Sequence, residues 1–229
     1  MIDCGGDGSA GAGSSGSLRI VESGWSDRYR DVVAGPAAPH DMGQYVGREE
    51  RATRILSYEP DLIPGLLQVS EYARAVARAF FPETTEAERD RFVASRIDRT
   101  KLLDRDAAPE FAVLIGEAAL RRSLESPKAH RRQLDSLAHD LDGSRKHVGV
   151  GIVPLHAAVP AAWGGSFVLM SFDDGAGDLV CRESISGSRY LTSQADVERA
   201  GRAYEDLSKV ALSRTAAQEL VREIAAALR

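Results

Sequence analysis

Between Glu59 and Gln68 the chain reads Glu-Pro-Asp-Leu-Ile-Pro-Gly-Leu-Leu-Gln, and no other stretch limits the fold as strongly. Pro60 and Pro64 remove backbone donors and fix φ, while Gly65 permits a bend, so a leucine-rich segment that would otherwise be helical is predicted to be a buried turn. Ser70 is placed to cap the helix that follows, on which Tyr72, Val76 and Phe80 recur at helical spacing.

Upstream, Trp25, Tyr29, Val32 and Val33 share one helical face, which predicts a short helix packed on the main domain. From Tyr45 to Tyr58 the pattern of Tyr45, Ala52, Ile55 and Leu56 suggests an amphipathic helix with Arg48, Glu49, Glu50 and Arg51 on its solvated side. Downstream, Thr85 and Glu88 form a capping-box pair. A long helix should start there and run to about Asp104, burying Phe92, Ile97 and Leu102 or Leu103 while Arg89, Arg91, Arg96 and Arg99 face outward or towards a partner, interleaved with Glu88, Asp90 and Asp98.

Glu110 to Ile115, Val148 to Val153, Ser166 to Phe172 and Asp178 to Glu183 are short, apolar runs that read as strands, with Ser188 to Leu191 as an edge strand. Pro127 suits the first turn of a helix stopped by Gly143, and two more helices close the chain, the last capped by Ser213. The expected class is α+β: a small, mostly antiparallel sheet flanked by helices, in a single domain over 18–229. Residues 1–17 are rich in Gly and Ser and hold too few apolar side chains to offset the entropy of ordering, so a disordered tail is expected.

Three separated motifs occur in a definite order: EPDLIPGLLQ-x-x-EYARA, then IGEAALRR from Ile115 to Arg122, then SRYL followed by a helix and ALSR at Arg214. Together they resemble the uncharacterised C-terminal, effector-side domain that follows an Xre-type helix-turn-helix in many actinobacterial regulators. The resemblance covers roughly Tyr45 to Arg229 and implies a regulator-type ligand-binding domain. Residues 2–17 carry no pattern of a DNA-reading module, so the expectation is a domain without its helix-turn-helix.

Charge and composition narrow the function. A net charge of -5 opposes a surface built to neutralise phosphates, so no direct DNA binding is expected. No run approaches the roughly 18 apolar residues that span a bilayer, and Met1-Ile-Asp-Cys-Gly-Gly lacks the basic start of a secretion signal. No membrane association and a cytoplasmic location follow as expectations. The two cysteines, Cys4 and Cys181, make neither a disulfide framework nor a metal pair, and no cofactor is implied.

No catalytic signature of the nucleophile-elbow, phosphate-loop or zinc-helix type is present. Polar residues where strands end remain as candidates. Glu183 and Tyr190 flank a Ser-Ile-Ser-Gly-Ser turn, where a carboxylate could take a proton from carbon and a phenol could donate to an enolate oxygen. His156, in the loop after the second strand, has the ordinary pKa for proton transfer at neutral pH. Glu117 and Arg121, one helical turn apart, could face a cavity, and Trp163, Trp25, Phe167 and Tyr72 could line it. Each also has a plain role: Trp25 as a packing anchor, Glu117 as a cap or ion-pair partner of Arg121, His156 as a structural loop residue, Tyr190 as filler of the sheet edge.

These readings lead to two expectations of function. One is a natural-product cyclase without cofactor, in which a hydrophobic pocket folds a linear polyketide intermediate and closes a ring by dehydration and Michael-type addition. Holding a flexible chain near its reacting geometry supplies up to about 7 to 11 kcal/mol of such a barrier. The alternative is a sensor that binds a small molecule without changing it. A small hydrophobic partner is expected in either case, and the closing helices suit a homodimer.

Overall fold

The computed structural model describes residues 24–33, 42–122, 124, 126–184 and 187–228. The expected tail at 1–17, with Cys4, lies outside them. Two short turns, α1 (Gly24–Arg28) and α2 (Arg30–Val33), precede α3 (Met42–Glu49) and β1 (Arg54–Glu59). After the Pro-rich turn come α4 (Ser70–Phe80), α5 (Glu86–Thr100), β2 (Glu110–Gly116), α6 (Glu117–Arg121), α7 (Pro127–Asp140) and β3 (Val148–Val153). The chain closes with β4 (Phe167–Ser171), β5 (Leu179–Ser184), β6 (Gly187–Leu191), α8 (Gln194–Val210) and α9 (Arg214–Ala227).

The strands make one six-stranded mixed sheet in the order β3-β2-β1-β4-β5-β6, and the single domain is α+β. From β1 through β4, β5 and β6 neighbours are antiparallel, and the short connections from β4 to β5 and from β5 to β6 suit that direction. The other half is the parallel minority of this mostly antiparallel sheet: β1, β2 and β3 run parallel, with α4 and α5, then α6 and α7, as the crossovers.

Alternation along each strand separates two cores. Ile55, Phe111, Val113, Ile115, Met170 and Cys181 turn to one face and pack with Tyr72 and Val76 of α4, Leu134 and Leu137 of α7, and Val221 and Ile224 of α9. Leu56, Tyr58, Leu114, Phe167, Leu169 and Val180 turn to the other, beneath Ala200 and Leu207 of α8. A third cluster, Trp25, Val32, Met42, Val46, Ala77 and Phe92, joins the first three helices to α4 and α5. Trp25 anchors it, and its indole N–H donates to the Ser95 carbonyl at 2.9 Å.

Several local expectations hold. Thr85 and Glu88 form the capping box, Ser126 and Ser213 accept backbone N–H groups at the starts of α7 and α9, and Gly143 takes a left-handed φ of 80° after α7. Two do not. The helix expected from Tyr45 to Tyr58 is instead α3, a break, and the central strand β1. Ile55, Leu56 and Tyr58 are buried because a central strand meets core on both faces, so its apolar run does not alternate and imitates helical spacing. Ser70 does not cap α4 either: Val69 occupies that position, and Ser70 Oγ donates to Glu71.

No helix among the described residues is long and apolar enough to cross a membrane. The ends of β1 and β2 are locked by a close approach: a Cβ on Gly116 would stand 2.7 Å from the Pro60 carbonyl oxygen and 2.9 Å from its Cα. Gly116→Ala is therefore expected to cost about 1 to 3 kcal/mol in urea unfolding. Gly149→Ala, where the nearest atom would be an ordinary 3.6 Å away, should stay within about 0.5 kcal/mol of wild type.

Candidate functional site

The turn after β1 buries backbone groups that no helix or strand can satisfy, and side chains supply the partners. Gln68 Nε2 donates to the Ile63 carbonyl at 2.7 Å, and the Ile63 N–H donates to the Tyr72 hydroxyl at 3.3 Å. From α7, Gln133 donates to the Leu67 carbonyl at 2.7 Å and accepts from the Val69 N–H at 2.8 Å. The turn is thereby held in one conformation beside the end of β1.

Helices α3 and α5 close over it. Arg99 makes a two-pronged pair with Glu49, both N···O distances 3.0 Å, with both side chains buried. This corrects the expectation that Glu49 and Arg48 lie on a solvated face and that Arg99 points outward. Burial opposes the Arg99 charge, but Glu49 beside it more than offsets this, and the guanidinium pKa rises. Arg48 is buried as well, bonded to the Gln44 carbonyl and stacked 4.6 Å from the Tyr190 ring centroid. Arg96, one turn before Arg99, lies 5.0 Å from the Phe92 ring centroid and reaches Gln68 Oε1 at 3.4 Å. Gly65 makes room for both arginines, since a Cβ there would come 3.1 Å from Arg96 Nη1.

Between turn, helices and sheet is a cavity of about 760 Å³, within the range of small-molecule sites. Its apolar walls are Met42, Leu62, Ile63, Val76, Phe80, Phe81, Phe92 and Val168. Tyr45, Glu59, Arg96, Glu183 and Ser188 provide polar groups. Glu59 ends β1 and Glu183 lies near the end of β5, on the sheet face that carries Ile55 and Cys181. Burial, and then the charge of Glu183, push the Glu59 carboxyl up to about 8, with a Ser57 hydroxyl bond at 3.3 Å acting weakly against this. Burial and the neighbouring Arg99 lower Arg96 to about 10, which leaves it charged at neutral pH. Burial holds the Tyr45 phenol protonated well past its usual range.

Residues 42–223, which include every wall of this cavity, match the family described as a domain of unknown function, DUF5753. The chain belongs to the DUF5753 family. No curated protein and no solved structure matches it.

In this DUF5753 domain the residues singled out from sequence scatter. Glu183 lines the cavity. Tyr190, opposite Cys181 on β6, stacks under Arg48 beside the cavity. Tyr72 is fully buried and serves the turn, and Trp25 serves the third core cluster. Phe167 packs on Tyr58 on the opposite sheet face. His156 and Trp163 are exposed, Trp163 at 76%, in the segment between β3 and β4. Glu117 accepts from the Leu155 N–H at 3.0 Å and from Arg121 at 2.7 Å, so this pair pins the loop after β3. Among the described residues, no group of three or more His, Cys, Asp or Glu side chains is placed to hold a metal ion.

Sequence reasoning missed Glu59, Arg96, Arg99 and Tyr45. Glu59 had a signal: it falls in alternation with Ile55 and Ser57 on a core-facing side, where a carboxylate is out of place. Arg96 and Arg99 follow Phe92 at spacings of four and seven, so they share the side of α5 that Phe92 marks, Arg99 buried and Arg96 partly so.

Two consequences are measurable. Arg99→Ala leaves Glu49 buried without a partner and should cost about 3 to 5 kcal/mol in denaturant unfolding. Because the folded-state pKa of Glu59 lies above its unfolded value, its contribution to stability is complete at low pH and is lost as pH rises towards about 8. Glu59→Gln should remove that decline, unfolding above wild type by about 1 to 3 kcal/mol near pH 8.5 and gaining little near pH 4.

Proposed function

We propose that this domain binds a small, largely apolar molecule with one polar end in the cavity under α3 and α5, as the effector side of a transcription regulator. The observation that carries this reading is the cavity itself: apolar walls of Phe81, Phe92, Val76 and Leu62 converge on a few polar groups, the usual composition of a ligand site. The resemblance to the domain that follows an Xre-type helix-turn-helix supports the regulatory half of the proposal. The motif that carries most of that resemblance, Glu59 to Gln68, is also the stretch that contributes most wall to the cavity.

Glu59 favours a second reading, a cofactor-independent cyclase. A buried carboxyl with a pKa of about 8 is a competent acid at neutral pH, and Glu183 on the same wall supplies a base. In a dehydrating cyclisation Glu183 would take the proton from carbon while Glu59 protonates the departing hydroxyl, releasing water. The alkene would then accept an internal nucleophile. Under this reading Glu59 takes the place expected for His156.

Binding is tested with the neutral dye Nile red, whose emission rises in an apolar site. Wild type should bind it, and Ser188→Trp, which fills the cavity from the edge strand, should weaken binding by at least about tenfold while leaving the melting temperature nearly unchanged. Unaltered binding by Ser188→Trp would place the guest elsewhere. For the cyclase, Glu59→Gln and Glu183→Gln should each lower turnover of a linear hydroxylated polyketide more than about tenfold, read by mass spectrometry as loss of the product lighter by water.

A further inference from the structure

Within the ligand-binding reading, on which this inference rests, the charges around the cavity select one class of guest. Most ionised groups near it are already matched. Arg99 is neutralised by Glu49, and Asp61 by Arg122 at 2.5 Å. Arg96 is not. Among the described residues no carboxylate lies within ion-pair distance of it, and its Nε is buried without an acceptor. Its strongest contacts are the face of Phe92 and a long bond to Gln68. The residue is only partly buried, but a buried guanidinium Nε left without an acceptor is costly unless something else accepts from it.

The groups that share the cavity with Arg96 are mainly donors. Tyr45 keeps its phenol proton, and Glu59, facing Arg96 and Glu183 across the cavity with Ser57 behind it, is a neutral acid that offers an O–H. Among the described residues that line it, Glu183 is the opposing charge not held in an ion pair; it acts on Arg96 and Glu59 through space, but it is solvent-exposed and lies outside ion-pair distance of Arg96. Arg48, a buried cation, lies behind Tyr190. A wall of donors around an unmatched cation, beside the rings of Phe81 and Phe92, complements an anion with an apolar body.

We propose that the guest is a monocarboxylic acid, its carboxylate held by Arg96 with the Tyr45 and Glu59 hydroxyls and its hydrocarbon part against Phe81, Phe92 and Val76. A carboxylate accepts on two oxygens and so meets a guanidinium with more than one bond. Binding it also favours the protonated form of Glu59, so affinity falls as pH rises and that carboxyl ionises. Glu183, Asp61, Arg99 and Tyr45 also face this region; the Glu59 carboxyl, pushed up to about 8, loses its proton in that interval.

Calorimetry with three chain-matched probes, octanoate, octanol and octylamine, tests the idea on the wild-type domain. Octanoate should bind at least about tenfold more tightly than octanol, with octylamine weakest. Arg96→Met should abolish the preference while retaining octanol affinity, and Arg96→Lys should keep part of it. From about pH 7 to about pH 9 octanoate should weaken in wild type and not in Glu59→Gln. Equal or tighter binding of octanol or octylamine overturns the carboxylate assignment and leaves the cavity reading standing. Binding of none of the three removes both.

Discussion

The structure depends on a turn whose backbone is satisfied by side chains. Where Pro60 and Pro64 end the possibility of helix or ladder bonding, Gln68, Tyr72 and Gln133 take over the carbonyl and N–H groups of Ile63, Leu67 and Val69. Each of those side chains comes from a different place: the turn, α4 and α7. Their convergence couples the end of β1 to the helical layer. Because the turn cannot relax without stranding several polar groups, Gly65 stays where the arginines of α5 can approach it.

Charge is distributed with the same economy of position. α5 carries Arg96 and Arg99 on the side that Phe92 marks, and the two have different fates. Arg99 meets Glu49 with ideal two-pronged geometry, which ties α5 to α3 and makes that crossing specific. Arg96, displaced by one turn, finds a ring and an amide. The first is a structural pair and the second a charge presented to a cavity. Glu59 experiences the opposite effect: with no cation at ion-pair distance among the described residues, desolvation favours its neutral form. The cavity therefore has a charged donor and a protonated acid at one end and aromatic rings at the other, an arrangement suited to a guest with one polar terminus.

Much of the secondary structure was legible from local chemistry. The capping box at Thr85, Pro127 in the first turn of α7, the Ser213 cap and the hairpin around Asp173 to Gly177 are all short-range signals, and short-range physics decides them. β1 was not legible, because a strand buried on both faces loses the alternation that identifies strands. The candidate site was only partly legible for a related reason. Glu183 was found because it lies where a strand ends. His156 satisfied the same rule, and Trp163 and Phe167 were singled out as aromatic wall residues, yet all three lie elsewhere, since neither loop position nor ring type says which side of the sheet a residue occupies.

What the amino-acid order alone determined is therefore local: the two-proline turn, the caps, the α+β class and the resemblance carried by three ordered motifs. Only the tertiary arrangement decided which half of the sheet is parallel, that Glu49 and Arg48 leave solvent, and that Glu59, Arg96, Tyr45 and Glu183 share one cavity. The physical reason is that burial of a charge depends on partners remote in the chain. Glu49 and Arg99 are separated by fifty positions, and until α3 and α5 cross, each is indistinguishable from a solvated residue on a helix surface.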